Sequence, residues 1–361
     1  MASHHLNDDN SINNTTKYDD VRINGTHMLP LFELGVSMYW LIFYVVVYGI
    51  IFTGSIVGNQ LVIWSFVIEP KLRRPTNIFI VSLAVADFVT GLIAMPLGTV
   101  ARLFTGTKVC LASVRSLYQV LTFMLGAVTM CHLYLITFDR YIAITRPLKY
   151  TYIMTRRKCK ILAAVAWLAG SVFGGLPFLS AAEDPNLWVC GVANNKVTGV
   201  EIQRLVIVGV ILITLLLLCF VYVRIFSIAL KHNKHRRKLQ NLDPSNRKAM
   251  ERTAVTTAII LGAFAICWLP STVKYVIEIY INTTEEKLFV IQTAADVLAY
   301  GNSMVDPIIY GYRNDLFRST YKRIFHRVCG CFKRNETSLP TTPRTQYYST
   351  SQGNCTELAN L

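Results

Sequence analysis

One acidic side chain lies where apolar packing alone would not place it. Asp87 sits in the middle of the apolar run SLAVADFVTG. A carboxylate at mid-membrane depth is costly, so Asp87 must face other helices and find polar partners there. Asn302, Ser303 and Asp306 supply such partners late in the chain. The pattern indicates either an internal hydrogen-bond network or a cation site.

A second charged group, Asp139-Arg140-Tyr141, closes the apolar run Leu117 to Phe138. Burying such a pair at the bilayer centre would cost about 2.5–3.5 kcal/mol per charge, so it belongs at the membrane boundary. One interpretation is an anchor at a helix end. The other is a switch, in which Asp139 holds the arginine until the helices move.

The composition predicts the helical scaffold for these residues. The chain has 361 residues, of which 53% are hydrophobic and 16% charged, against about 25% charged residues in soluble domains. Seven segments are long and apolar enough to cross a bilayer as helices. We therefore predict an all-α bundle whose transmembrane helices, spans 1 to 7, are Met38–Ile68, Asn77–Phe104, Leu111–Ile144, Lys158–Phe178, Val200–Leu230, Met250–Ile281 and Leu288–Tyr310.

The cations predict the orientation of the bundle. The formal net charge is +15, and Lys and Arg concentrate in alternate loops, which assigns those loops to the cytoplasm. The N-terminus is then extracellular and the C-terminus cytoplasmic. The cations of these loops form a collar at one end of the bundle. This collar accounts for the positive net charge, so the charge does not require nucleic acid as a partner. Its residues are Lys71, Arg73, Arg74, Arg146, Lys149, Arg156, Arg157, Lys158, Lys160, Lys231, Lys234, Arg236, Arg237 and Lys238.

Three shorter regions flank the spans. Residues 1–37 form a polar extracellular tail whose sequons begin at Asn13, Asn14 and Asn24, so we expect glycosylation there. Residues 313–331 place apolar and basic side chains on opposite faces, which predicts a short helix on the membrane surface. The Ser/Thr-rich residues 332–361 are predicted to be disordered.

Span 6 contains Cys267-Trp268-Leu269-Pro270. Pro270 has no backbone N–H and should kink the helix. A kinked helix can act as a lever, and Trp268 beside it could respond to an occupied pocket. The alternative is a tryptophan that only fills the core.

Together these motifs resemble the rhodopsin-like (class A) G-protein-coupled receptors over roughly residues 38–331, with residues 38–312 as the receptor domain. The order and spacing of the motifs carry the resemblance. They are Gly58-Asn59, LAVAD with Asp87, Asp139-Arg140-Tyr141, Trp167, Cys267-Trp268-Leu269-Pro270 and Asp306-Pro307-Ile308-Ile309-Tyr310.

The resemblance implies a plasma-membrane receptor, not an enzyme, that binds an extracellular small molecule or peptide and activates a heterotrimeric G protein. Receptor kinases and arrestin are implied at the Ser/Thr-rich tail. No cofactor is required, although an allosteric sodium ion is implied within the bundle.

The resemblance also implies roles for individual residues. The ligand pocket comprises Thr122, Phe123, Trp268, Ser271, Tyr275, Asp296 and Tyr300. The coupling and switch residues are Asp139, Arg140, Tyr141, Leu148, Tyr222, Pro307 and Tyr310. The sodium ligands are Asp87, Thr129, Asn302, Ser303 and Asp306, and the acylation sites are Cys329 and Cys331.

The chain departs from the family pattern at several positions. Arg115 stands where the family usually has a cysteine, so the implied disulfide joins Cys110, five residues earlier, to Cys190. Span 5 lacks its usual proline, with Thr214 eight residues before Tyr222. Met250 replaces the common glutamate of span 6, which leaves a resting lock on Arg140 in doubt.

Two further departures bear on the ligand. Thr122 replaces the aspartate that anchors amines in the aminergic receptors, and Tyr300 replaces the lysine that an opsin needs for retinal. Asp296, at the outer end of span 7, then becomes the best anchor for a cationic ligand. The alternative is an internal salt bridge from Asp296 to Arg102, Arg115 or Lys274.

Receptor function competes with a transporter and with a light-sensing opsin. A transporter should show internal repeats or helices broken at mid-membrane, and neither is visible. Tyr300 disfavours the opsin. The ligand class stays open between an amine-like cation and a short peptide.

Overall fold

The computed structural model describes residues 38–103, 112–181, 208–217, 219–220, 223–224, 227, 244–280 and 285–336. Within these ranges the chain is helical apart from short connections, and no strand occurs. The helices of the spans are Met38–Ile68, Pro75–Val89 continuing as Thr90–Ala94 and Met95–Leu103, Ala112–Thr145, Arg156–Ala181, Val208–Leu217, Pro244–Tyr280 and Glu285–Arg313. Connecting helical turns are Pro70–Leu72, Pro147–Lys149 and Tyr150–Ile153, and the surface helix is Asp315–Glu336.

For spans 1 to 4, 6 and 7 the described helix ends lie close to those predicted from the sequence, whereas the predicted ends of span 5, Val200 and Leu230, lie outside the described residues. Span 1 is Met38–Ile68 in both, whereas span 6 begins at Pro244, six residues before the predicted start. The surface helix runs to Glu336, past the predicted limit at 331, because the segment FKRNE contains no proline or glycine to end it. Among the described residues, five helices are long and apolar enough to cross a membrane, and Val208–Leu217 is a shorter apolar helix.

Apolar side chains cover the outside of the bundle as well as its centre. Phe79, Leu83, Leu133 and Phe264 are fully buried and form one core cluster. Many others are exposed on the perimeter, as at Ile266, which is 69% exposed. A helix that is apolar on all sides is typical of a membrane interior, where the outer face contacts lipid.

Span 2 contains a π turn that the sequence analysis did not predict. Thr90–Ala94 forms this turn just before Pro96. Because proline has no N–H, the carbonyl one turn earlier loses its α-helical partner, and a π turn lets the chain accommodate the break. The turn sets the position of Met95, whose carbonyl accepts a hydrogen bond from the Tyr48 hydroxyl at 3.4 Å.

Spans 3 and 4 approach each other closely at two glycines one turn apart. A Cβ atom on Gly170 would lie 2.6 Å from the Val128 backbone, and one on Gly174 would lie 2.5 Å from Met124 Cα. Small residues at this spacing let membrane helices come together at backbone distance. The GSVFG segment of span 4 therefore fixes span 3, which carries Asp139 and Arg140.

We expect Gly170→Val to destabilise the folded protein, since the new side chain collides with backbone that cannot turn aside. Overpacking of this kind costs about 1–3 kcal/mol, which corresponds to a loss of about 5 °C in apparent Tm. The control is Gly175→Val, because a Cβ on Gly175 meets only Met124 Sδ at 4.0 Å. Equal melting temperatures for the two variants would contradict this account of the interface.

Candidate functional site

A buried polar cluster joins spans 1, 2 and 7 at the centre of the bundle. Asp87 is 1% exposed, and its Oδ1 accepts a hydrogen bond from Ser303 Oγ at 2.7 Å. Ser55 Oγ donates to the Asp87 carbonyl at 3.2 Å. Asn59 Nδ2 donates to the carbonyls of Ser303 at 2.8 Å and Ser55 at 2.9 Å. These bonds hold the Asp87 carboxylate against span 7.

The same cluster is rich in acceptors that no described residue satisfies. The buried oxygens without a donor are Asp87 Oδ2, both carboxylate oxygens of Asp306, Asn302 Oδ1 and Asn59 Oδ1. Thr129, a predicted ligand on span 3, is 5% exposed. Oxygen donors of this kind suit a hard cation, and the described ranges contain no group of three His, Cys, Asp or Glu side chains that would suit a transition metal.

Asp139 and Arg140 are paired at the basic end of the bundle, the end that carries the Lys and Arg residues of the loops after spans 1, 3 and 5. Arg140 Nη2 lies 3.6 Å from Asp139 Oδ2, and the two side chains are 14% and 1% exposed. The Tyr150 hydroxyl donates to Asp139 Oδ1 at 2.8 Å and lies 2.6 Å from Thr76 Oγ1. The Asp139 carboxylate on span 3, which pairs with Arg140, is therefore held in place by Tyr150 from the turn between spans 3 and 4. Tyr150 is in turn held by Thr76 of span 2.

The tyrosine in this network remains a proton donor at neutral pH. Burial, together with the negative charge of Asp139, raises the pKa of Tyr150 above its ordinary value of 10.0. Its hydroxyl proton therefore stays available for Asp139. No sequence motif indicated this contact, because it depends on the fold of the loop.

The other predicted switch residues differ in exposure. Tyr310 is 2% exposed, and its hydroxyl has no hydrogen-bond partner among the described residues. Pro307 is buried beneath Gly58 of span 1. Tyr141 is 37% exposed and Leu148 is 96% exposed, so Leu148 projects into solvent at the basic end.

Hydroxyl groups connect spans 3 and 7 at the opposite end. Thr122 Oγ1 lies 3.3 Å from the Tyr300 hydroxyl, which donates to the Tyr118 hydroxyl at 3.1 Å. The Tyr48 ring meets the Tyr300 ring edge-on, with centroids 5.7 Å apart. The position where an aminergic receptor would carry its aspartate is thus occupied by a neutral hydroxyl network.

Asp296 lies one turn before Tyr300 on span 7 and is partly exposed. Gln292 Nε2 donates to both of its carboxylate oxygens at 3.2 Å. On span 6, the buried Lys274 places Nζ 4.3 Å from the centroid of the Tyr275 ring. This end of the bundle therefore holds groups of both charges among aromatic rings.

The remaining predicted pocket residues surround the centre of span 6. The Trp268 and Phe264 rings lie 5.6 Å apart, and a Cβ on Gly126 would come within 3.0 Å of Trp268 Cη2. Ser271 Oγ donates to the Ala295 carbonyl at 3.5 Å. Phe123 is half-buried. Trp268 therefore lies against span 3 at Gly126.

The surface helix is attached to the end of span 1 by an ion pair. Arg323 Nη2 bonds to Glu69 Oε2, and the Glu69 side chain is only 11% exposed. The hydrogen bond from Arg323 holds the pKa of Glu69 below its ordinary value of 4.5. The ion pair therefore stabilises docking of the surface helix fully at pH values above the ordinary pKa of Glu69. This stabilisation is lost as the pH falls through the lowered pKa, so the pair is intact at neutral pH.

We expect Glu69→Gln to loosen the surface helix, because Arg323 then loses its charged partner. Amide hydrogen exchange in residues 315–328 should accelerate about two- to fivefold. The control is Asp315→Asn, which removes a carboxylate that pairs with Arg318 on the exposed face of the same helix. If the two variants exchanged alike, the Glu69–Arg323 pair would not be what holds the helix.

Some predicted site residues lie outside the described residues. These are Cys110, Cys190, Tyr222 and the sequon asparagines Asn13, Asn14 and Asn24. Cys329 and Cys331 lie within the surface helix Asp315–Glu336.

Comparison with known proteins gives the family. The model of the 7 transmembrane receptor (rhodopsin family) matches residues 58–310, more than half of the chain. The adenosine receptor A2b of Gallus gallus is 29% identical over 79% of this chain and 88% of its own length. The histamine H2 receptor of Rattus norvegicus is 30% identical, over 79% and 80%. The trace amine-associated receptor 13c of Danio rerio is 31% identical, over 75% and 82%.

The family match spans the Asp139–Arg140 pair, the hydroxyl network of Thr122, Tyr118 and Tyr300, and every residue of the buried cluster except Ser55. Members of this family are receptors rather than enzymes. The chain belongs to the rhodopsin family of seven-transmembrane receptors.

Proposed function

We propose that this receptor binds an extracellular ligand and activates a heterotrimeric G protein at its basic end. The observation that carries the proposal is the pairing of Arg140 with Asp139 while Tyr150 also holds Asp139. In this arrangement the Arg140 guanidinium stays paired with Asp139 at the edge of the bundle until the helices move. Leu148, almost fully exposed beside it, provides an apolar contact for the partner.

The proposal fixes an orientation and a set of modifications. The basic end faces the cytoplasm of a plasma-membrane protein, by the Lys and Arg distribution. Glycans on Asn13, Asn14 and Asn24 and the Cys110–Cys190 bridge then belong outside. Acylated Cys329 and Cys331, and a tail available to receptor kinases and arrestin, belong inside.

For the ligand, we infer a small amine-like cation held by Asp296. The relatives named for histamine and trace amines favour a small amine over a short peptide. Thr122 offers no charge, whereas Asp296 is a partly exposed carboxylate beside Tyr300. The rings of Tyr300, Trp268 and Tyr275 can add cation–π attraction.

The ligand class is tested by screening cells that express the receptor with small amines, nucleosides and short peptides, using second-messenger readouts. Untransfected cells give the background. Responses to amines alone support the inference. Responses only to nucleosides or only to peptides would contradict it, while still leaving a receptor that signals through a G protein.

We also propose that the cluster of Asp87, Thr129, Asn302, Ser303 and Asp306 binds sodium in the resting state. The unsatisfied oxygens described above support this, since a cation between two buried carboxylates relieves their mutual repulsion. In the active state the helices would shift and release the ion.

We expect sodium to weaken agonist binding to the wild-type receptor and to have little effect on Asp87→Asn, because the amide removes one of the two charges that attract the ion. The measurement is agonist affinity in sodium and in an equal concentration of N-methyl-D-glucamine. The control is Ser65→Ala, which removes a buried polar group on span 1 that is not part of the proposed sodium site and should leave the sodium sensitivity unchanged. Equal sodium sensitivity in wild type and Asp87→Asn would refute the sodium site.

A further inference from the structure

A buried lysine near the outer end of span 6, opposite to the basic end, has no role in the ligand site proposed above. Lys274 is 7% exposed and lies on the same helical face as Cys267 and Ser271, which are also buried. The opposite face of this helix carries Leu269 and Val276, which are both exposed. Lys274 therefore faces the interior of the bundle. An ionisable side chain inside a membrane span is costly, and it indicates a functional site whose partner must be identified.

A contact between spans 6 and 7 places Lys274 relative to Asp296. Ser271 Oγ donates to the Ala295 carbonyl at 3.5 Å, so these two residues lie at the same depth. Spans 6 and 7 run in opposite directions. Lys274, three residues after Ser271, is then about 4.5 Å further out, and Asp296, which follows Ala295, is about 1.5 Å deeper, at 1.5 Å per residue. The two charged residues are thus about 6 Å apart along the bundle axis, on neighbouring helices.

The side chains around both charges leave them able to bind a ligand. Gln292 Nε2 donates to both oxygens of Asp296 at 3.2 Å, which uses only part of the capacity of a carboxylate to accept hydrogen bonds. Lys274 Nζ lies 4.3 Å from the centroid of the Tyr275 ring. The ring attracts the cation through its face, and an ammonium group has three N–H donors to share among its partners.

We propose that the ligand is a zwitterion, an aromatic amino acid whose ammonium group binds Asp296 and whose carboxylate binds Lys274. This inference rests on the proposed binding of an amine at Asp296 and adds a second charged group to the same ligand. A buried ammonium group needs an anion beside it, and the ligand carboxylate supplies one. A plain amine at Asp296 would instead bring a second positive charge close to Lys274, which is unfavourable. The rings of Tyr275 and Tyr300 favour an aromatic side chain.

The first test compares derivatives on the wild-type receptor and so does not depend on the folding of a variant. Cells expressing the full chain, in amino-acid-free buffer, receive tyrosine, phenylalanine, tryptophan or histidine, or the decarboxylated amine, methyl ester or N-acetyl derivative of each. We expect at least one amino acid to be about tenfold or more as potent as its three derivatives, each of which lacks one charge. The readout is a concentration–response curve of second messengers.

The other outcomes of this test separate the two proposals. Amines and esters as potent as the amino acids, or more potent, would overturn the zwitterion and leave the amine site at Asp296 standing. N-acetyl derivatives as potent as their parents would overturn both, because these compounds carry no ammonium group. The absence of any response to the whole set would also overturn both.

The second test assigns the preference to Lys274. We expect Lys274→Gln to lower the potency of the active amino acid about tenfold and to leave the potency of its decarboxylated amine unchanged or higher, whereas Lys274→Arg should keep the preference for the acid. The control is Lys287→Gln, which removes an exposed cation near the start of span 7 and should behave as wild type. Potencies are normalised to surface expression. An equal loss of potency for the amino acid and the amine in Lys274→Gln would overturn the proposal, since Lys274 would then support the bundle without recognising the acid.

Discussion

Replacing Asp139 with asparagine should raise ligand-independent nucleotide exchange on the G protein about tenfold. The asparagine can still accept the hydrogen bond from Tyr150, but it carries no charge to hold Arg140, whose guanidinium lies 3.6 Å from the carboxylate. A bias of about 1.4 kcal/mol between two states changes their ratio tenfold, and loss of a well-buried charge pair can supply more than that. The measurement is exchange by purified receptor without ligand.

Two further variants separate the charge from its surroundings. Tyr150→Phe removes one hydrogen bond to Asp139 and keeps the ion pair, so it should raise exchange by a smaller factor than Asp139→Asn. Asp315→Asn removes a charge near the same end, outside the network, and should change nothing. If Asp139→Asn left exchange at the wild-type level while the receptor remained folded, the pair would be an anchor of the helix end and not a switch.

Replacing Asp296 with asparagine should lower the potency of a cationic agonist tenfold or more while the receptor reaches the cell surface in normal amounts. The partly exposed carboxylate, next to the hydroxyl network of Tyr300 and Thr122, is the proposed anchor for the ligand cation. Loss of one partner of a desolvated charge pair costs about 2–5 kcal/mol. The measurement is a concentration–response curve normalised to surface expression.

Gln292 provides the control that separates an anchor from a structural role. Its amide donates to both oxygens of Asp296 at 3.2 Å, so Gln292→Ala removes this support and keeps the charge. An anchoring carboxylate predicts that Gln292→Ala retains most of the potency and that Asp296→Glu recovers part of it. If Gln292→Ala and Asp296→Asn both lowered surface expression and left normalised potency unchanged, Asp296 would be a structural residue.

Parts of this arrangement could be predicted from sequence because they depend on the membrane or on neighbouring positions. The depth of Asp87 in its span required polar partners, and span 7 placed Ser303 at bonding distance. Adjacent charges at a helix end made the Asp139–Arg140 pair an obvious hypothesis. Gln292 and Asp296 are four residues apart on one helix, so their contact could have been foreseen.

Contacts that depend on the path of a loop could not be predicted. Tyr150 reaches Asp139 and Thr76 only because the segment after span 3 turns back under span 2. Glu69 meets Arg323 across 254 residues of chain. The π turn at Thr90–Ala94 followed from Pro96, but a proline indicates a break without specifying how the helix accommodates it.

The most direct test of the central claim is nucleotide exchange by purified components. Wild-type receptor and Arg140→Ala, reconstituted in nanodiscs, are each mixed with heterotrimers of the main G-protein classes, and binding of a non-hydrolysable GTP analogue is followed over time. We expect wild-type receptor to accelerate exchange on at least one heterotrimer, an active ligand to accelerate it further, and Arg140→Ala to abolish both effects. No acceleration of any heterotrimer by folded, ligand-bound wild type, or full acceleration by Arg140→Ala, would contradict the central claim.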